Sequence, residues 1–311
     1  MHDVLSGILT PAFVYSIIRV TTPILFAALG ALITDLAGVI NIALEGIMLT
    51  AAFFGVLISA FTQNMWLGLL AGVVSGMVIA FLLGYFSLNL KTDLILAGIA
   101  INLLASGGTI FLLYIFSGDK GTSSSLKSLV LPNIDIPILK DIPILGPMFS
   151  GHHILTYIAL LSVIVVHYFL YHTPLGLRLR AVGENPDAAD SVGISVIKIK
   201  YIALILSGFF AGLGGVHLSM GYVSWFARDM TSGRGFIALA AETLGGRTAI
   251  GTALGSLVFG AADALSYSLQ AFRIPSEFAQ SFPFIITILA LGFYAQRQMA
   301  RIKKRKMANR K

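Results

Sequence analysis

Two carboxylates, Glu45 and Glu242, stand inside otherwise apolar stretches, "GVINIALEGIML" at 38–49 and "GRGFIALAAETLGG" at 233–246. Asn41 lies four residues before the first, Asn102 sits in "GIAINLLASGG" and Asp263 in "GAADAL". A charged group held in lipid costs a few kcal/mol, so such residues mark solute pathways, ion relays or places where the backbone has lost its own partners. A carboxylate accepts hydrogen bonds from hydroxyls or from the free N–H groups of a broken helix, or it pairs with a cation such as Arg234 or Arg247. A carboxamide both donates and accepts, and so meets a neutral polar solute without burying net charge. On that ground Asn41 is the better solute contact and Glu45 the better holder of a bend. Asn102 suits hydrogen bonding between helices, and Asp263 suits either a pathway or a helix interface. Phe236, Phe26 and Trp225 offer faces for stacking, although aromatic residues in a bundle mostly pack. The pathway set is therefore Asn41, Glu45, Asn102, Phe236, Glu242 and Asp263. His217 has no second metal ligand at matching spacing, so no metal is expected. The sequence holds no Ser/His/Asp constellation and no H-E-x-x-H pattern, which argues against an intramembrane enzyme.

The elements that must position these groups follow from composition. Of 311 residues, 57% are hydrophobic and only 11% charged, with a mean hydropathy of +0.88. Soluble domains carry about 25% charged residues, and an apolar helix needs about 20 residues to cross some 30 Å of hydrocarbon. Apolar runs near 13–33, 38–61, 65–88, 93–116, 153–171, 201–221, 251–270 and 279–296, with a shorter one at 235–245, predict an all-α polytopic membrane protein. The expectation is a single transmembrane domain, 1–311, of about 8–10 spans with short or broken segments near 35–46 and 234–246. "SGFFAGLGG" and "GTALGSLVFGAADA" carry the small residues that let helices approach closely in lipid. Gly38 to Glu45 and Gly235 to Glu242 share Gly, Ile, Ala and Glu at equal offsets, as an internal repeat would. There is no cysteine, hence no disulfide framework. The N-terminus lacks a basic region and a cleavage site, so the first run is expected to be a permanent span.

Charge sets the orientation. Eight of the 21 Lys and Arg lie in the tail 297–311, and the loop at 172–200 is basic as well. Both are placed in the cytoplasm by the positive-inside bias, which puts the proline-rich loop 117–152 outside. An even number of crossings must separate the two cytoplasmic segments, so 233–246 must supply one, as a tilted or broken helix lining protein or water. If the segment near 35–46 crosses as well, the chain has about ten crossings and both termini are cytoplasmic.

The cytoplasmic loop reads "TPLGLRLRAVGENPDAADSVGISVIKIKY", 173–201. It begins as a turn at Pro174. Asn185 then suits an N-cap, Pro186 the first helical position and Asp187 the positive end of a short helix, with Gly193 stopping it. Such a helix on a basic face suits either a solvated connector or a docking site for a soluble partner. "RAVGENPDAADSVGI" resembles the coupling motif of bacterial ABC-importer permeases for branched-chain amino acids, ribose and nucleosides. "GVINIALEGIMLTAAFFG" is similar to the N-terminal signature of their nucleoside (simple-sugar-like) subgroup, and "SGFFAGLGGVHLSMG" and "GRGFIALAAETLGGRTAIGTALGSLVFG" match as well. The resemblance spans roughly 20–300. It implies a type II-like permease without its own ATPase, and the sequence indeed holds no G-x-x-x-x-G-K-[ST]. It further implies that Gly183, Glu184, Asn185, Pro186, Ala188, Ala189, Gly193 and Ile194 dock a cytoplasmic ABC ATPase, which carries ATP and Mg. An extracellular substrate-binding lipoprotein and a second permease, a paralogue or a second copy, complete the set. No cofactor in this chain and no nucleic acid are expected. Ribose-like sugars or branched-chain amino acids are alternative cargoes. An ion-coupled secondary transporter, with Glu45, Glu242 and Asp263 as coupling carboxylates, is the more distant alternative.

Overall fold

The computed structural model describes residues 10–137, 142, 143, 145–270, 285, 288 and 292. The expected last run at 279–296 and the basic tail fall almost wholly outside the described residues, as do residues 1–9.

Among the described residues seven helices are long and apolar enough to span a membrane. In chain order they are α1 (Pro11–Leu36), α2 (Leu44–Thr62), α3 (Met65–Gly84, extended by a π-helical turn, Tyr85–Asn89) and α4 (Leu94–Ser117). After an irregular loop come α6 (Ile154–His172), α9 (Val196–Met220) and α11 (Ala249–Gln270). The shorter elements are α5 (Leu145–Phe149), α7 (Pro174–Glu184), α8 (Pro186–Ser191) and α10 (Arg234–Leu244), with a two-residue ladder between β1 (Asn133–Ile134) and β2 (His152–His153). Residues around these starts explain them locally. Asn64 accepts the N–H groups of Trp66 and Leu67, and Asp93 those of Ile95 and Leu96, so each helix begins where a side chain replaces the missing backbone acceptor.

The bundle has two ends. At one, the Tyr15 hydroxyl donates to Gly151 O (3.1 Å), Gln63 Nε2 to Lys127 O (2.9 Å), and the loop after α4 meets the loop after α9 through Ser123 N to Phe226 O (2.9 Å). At the other, the turn between α1 and α2 packs on the end of α7, and the Tyr201 hydroxyl meets Asn89 Oδ1 (2.6 Å). The helices alternate between these ends. α1 and α2 are mostly buried, and Phe26, Leu29, Ile47 and Met48 lie fully inside. α4 and α6 present Leu103, Leu104, Phe111 and Ile164 outward, as helices in contact with acyl chains must.

The break near 35–46 is a turn at one end of the bundle, not a crossing of its own. Gly38 adopts φ +69°, outside the helical region, and Asn41 Oδ1 accepts the N–H of Ala43 (3.1 Å) to open α2. The run 38–61 is thus one turn and one span. The expected echo between 38–45 and 235–242 does not extend to local structure, because the first is mostly turn and the second is helix. Segment 233–246 does form a short helix. At 11 residues α10 reaches about 16 Å, half the hydrocarbon thickness. Residues 221–233 supply the rest as irregular backbone, reaching the middle of α4, where the Ser106 hydroxyl donates to Asp229 Oδ1 (3.0 Å). The start at Pro174 is a helix, not a simple turn: Thr173 caps it by accepting the N–H of Gly176 (3.1 Å), and Pro174 takes the first position.

Candidate translocation and coupling sites

α10 begins inside the bundle, where the N–H groups of its first turn have no intrahelical acceptor. Glu45, from the first turn of α2, supplies it. Its Oε1 accepts from Gly233 N and its Oε2 from Gly235 N, each at 2.7 Å. The carboxylate also lies at the positive end of the helix dipole. Gly235 is required by the closeness of this contact, since a Cβ there would overlap the backbone nitrogen of Glu45. The two apolar segments that carry similar motifs therefore meet face to face.

Arg234, more than nine-tenths buried, fixes the same junction from the other side. Its Nη2 donates to Asp263 Oδ2 and to the Tyr267 hydroxyl, both at 2.8 Å, and its Nη1 reaches the carbonyl of Thr231 (3.2 Å). A buried ion pair of this kind is costly to halve, which binds α10 to α11.

Asn41 is fully buried. Its Nδ2 donates to Ser207 Oγ of α9 (2.9 Å) while its Oδ1 holds Ala43 N. Asn102 spans from α4 to the same turn, with Oδ1 accepting Gly46 N (2.8 Å) and Nδ2 donating to Ile42 O (2.9 Å). The amides that sequence favoured for solute contact and for packing thus both serve the break in this arrangement. Ser207, distant in sequence, takes one of the two N–H donors of Asn41. Phe236 is half-exposed on α10, whereas Phe26 is fully buried in the core and Trp225 lies in the loop after α9.

The other end of α10 reaches the face that carries α7 and α8. Arg247 makes a two-pronged ion pair with Asp35 at the end of α1, and Glu242 is buried beside Asp35. Asn185 caps α8 by accepting Ala188 N (3.0 Å), Pro186 opens it, Ala189 is buried, and Gly193 ends it at φ +82°. Glu184 is the last residue of α7, and Ile194 N bonds back to Ala189 O (3.0 Å). Gly183 lies flush on the turn that follows α1, where a Cβ would overlap the carbonyl oxygen of Leu36. A cavity of about 430 Å³ bounded by Asp35, Arg180, Glu184 and Arg247 lies beside this contact.

Sequence reasoning passed over Asp35 and Arg19, which the fold makes prominent, and offered Arg247 only as a partner for a buried glutamate. Asp35 and Arg247 are far apart in the chain, and no local pattern pairs them. Arg19 is hidden in the first apolar run, yet it is exposed on α1 with its guanidinium carbon 3.9 Å from the centre of the Tyr222 ring. A single cation within an apolar run was the available signal.

A family model described as the branched-chain amino acid transport system permease component matches residues 13–291. The guanosine ABC transporter permease protein NupQ of Bacillus subtilis (strain 168) is 37% identical, over 94% of this chain and 93% of its own length. A putative glucose ABC transporter permease protein, TsgC13 of Haloferax volcanii, is 36% identical over 83% of this chain and 77% of its own length. Among solved structures, PsaBC from Streptococcus pneumoniae in complex with Fab aligns with a TM-score of 0.53 at 14% identity, covering 93% of this chain and 94% of that one; that likeness concerns the fold, which is that of an ABC transporter permease of type II-like architecture. The protein is a multi-pass membrane protein of the branched-chain amino acid transport system permease family, a transport subunit whose ATPase is a separate chain.

Proposed function

We propose that this permease imports nucleosides as the membrane subunit of an ATP-driven transporter. The observation that carries the reading is the end-to-end similarity to a guanosine permease, together with the nucleoside-type signature "NIALEGIML" around Glu45. The face that carries α7 and α8 is cytoplasmic, in keeping with the basic residues Arg178, Arg180, Lys198 and Lys200 on it. Pro11, which opens the first described helix, then lies at the outer face rather than the expected cytoplasmic one, because 35–46 is a turn and adds no crossing. A cytoplasmic ATPase, holding ATP and Mg, docks on 183–194. A binding lipoprotein delivers solute to the outer loops, and a second permease, a paralogue, completes the pathway.

The contacts supply a route from ATP to solute. Motion of α7 and α8 presses Gly183 on the turn at Leu36–Gly38. The Asp35–Arg247 pair passes it to the end of α10, whose other end is held by Glu45 and Arg234. α10 is the element most able to tilt, because it is short and is anchored at both ends by side chains rather than by a lipid-spanning length.

Uptake of labelled guanosine, uridine, glucose and leucine by cells with and without the gene tests the reading. Loss of nucleoside uptake alone supports it. Loss confined to glucose or leucine removes it, and uptake that persists without any ATPase but collapses with the ion gradient would favour a secondary transporter instead.

A further inference from the structure

A cavity of about 340 Å³ opens between α1, the outer end of α9 and α11, with Arg19, Tyr222, His217, Arg234 and Tyr267 on its walls. This is within the range of small-molecule sites. Arg19 lies eight residues into α1, about 12 Å from its start. An exposed guanidinium at that depth is costly against lipid, so this side of α1 faces water or protein. Among the described residues no carboxylate pairs with Arg19. Its guanidinium carbon lies 3.9 Å from the centre of the Tyr222 ring, and a guanidinium engaged with an aromatic ring through its charge still has N–H groups to donate to a ligand.

The second donor is set by the buried ion pair. Arg234 donates to the Tyr267 hydroxyl oxygen at 2.8 Å while Asp263 holds the same Nη2 at 2.8 Å. With its oxygen engaged as an acceptor, Tyr267 has its own proton to give, and the residue is half-exposed. Asp263, the carboxylate nearest to this junction, is occupied by Arg234 and does not line the cavity. The polar wall is therefore rich in donors, beside aromatic faces and the apolar surface of Val20 and Pro23. Its complement is a flat ligand with two adjacent acceptors on one edge.

We propose that this cavity is a solute subsite that reads the acceptor edge of a 6-oxopurine, with Arg19 donating to O6 and N7 of the base. The proposal rests on the nucleoside reading and narrows it. A guanidinium matches the paired acceptors O6 and N7 in two-pronged fashion, whereas adenine and cytosine turn an amino donor toward it and uracil offers a single acceptor. A solute carboxylate shares the paired-acceptor chemistry, and the test separates the two.

The complete transporter, with its ATPase and binding protein, is reconstituted in vesicles, and initial uptake of labelled inosine, guanosine, adenosine, uridine and leucine is measured below saturation. Wild type is compared with Arg19→Gln and Arg19→Lys; the binding protein is the same throughout, so its own selectivity cancels in the ratio. The expected result is a loss of about tenfold in inosine and guanosine uptake for both variants, with adenosine and uridine changed less than twofold. Arg19 is exposed, so the substitutions leave the core intact, which elution as a single folded species checks. An equal fall for every nucleoside, or no fall, overturns the subsite while leaving the nucleoside reading in place. Full retention in Arg19→Lys shows that plain charge suffices and also overturns it. If wild type carries leucine and no nucleoside, the reading beneath the proposal fails and the proposal with it.

Discussion

Replacing Glu45 with glutamine removes one charge and almost no volume, and so isolates what the carboxylate does at the start of α10. Its two oxygens accept Gly233 N and Gly235 N, each at 2.7 Å. A hydrogen bond to a charged group contributes about 1.5–3 kcal/mol. Glutamine keeps one oxygen, now neutral, and turns its NH2 group toward the other N–H. One bond is lost and the other weakened, for an expected cost of about 2–4 kcal/mol. Glu45→Ala leaves both N–H groups without an acceptor and costs at least as much. Denaturant unfolding of the purified protein in micelles measures the loss, and amide hydrogen exchange locates it, with faster exchange expected at 233–237 and little change in α4 or α6. In transport the maximal rate falls while the half-saturating concentration holds, because Glu45 contacts backbone rather than solute. A loss below 0.5 kcal/mol with unchanged exchange at 233–237 would refute the reasoning. So would a raised half-saturating concentration in a variant of full stability, which would return Glu45 to the pathway.

Other consequences follow from the same contacts. Gly183→Val should insert a side chain against the Leu36 carbonyl, where there is no room, and so separate ATP hydrolysis from uptake in vesicles while leaving the protein in the membrane. Asp263→Leu should destabilise by about 3–5 kcal/mol, since it strands the buried Arg234; Asp263→Leu with Arg234→Met should recover most of that in unfolding titrations. The Asp35–Arg247 pair has a largely exposed arginine, so Arg247→Ala should cost about 1 kcal/mol or less and act mainly on coupling, with the exchanged pair Asp35→Arg, Arg247→Asp restoring uptake. His153, outside the spans, is held down to a pKa of about 4 by burial. The unfolded chain therefore takes up its proton first, so the stability due to His153 is intact above about pH 6.5 and declines as pH falls toward 4. His153→Gln should flatten that decline in unfolding measured between pH 7 and 4.

The legible features of the site are those whose physics is local. Asn185, Pro186 and Gly193 cap, open and stop α8 within a few residues of one another, and those roles are readable from residue type and order alone. The shortness of α10 is equally readable, because an apolar run of a dozen residues cannot span 30 Å as a helix. The helix α7 was missed because Pro174 reads as a turn until Thr173 is recognised as its cap. Pairings across the bundle were not readable: Asn41 finds Ser207 166 residues away, and Arg234 finds Asp263 29 residues on, by way of a helix packing that no spacing announces.

Glu45 shows where the division falls. Sequence by itself determined that this chain lives in a membrane, that its carboxylates are too costly to be incidental, and that a capped helix follows Asn185, since transfer energies and capping depend only on composition and near neighbours. That Glu45 closes on Gly233 and Gly235, that Arg19 lies exposed on Tyr222, and that Gly183 seats on the turn after Leu36 were decided by tertiary structure. Each depends on which helix ends the packing brings within hydrogen-bonding or van der Waals reach, and that is a property of the whole bundle.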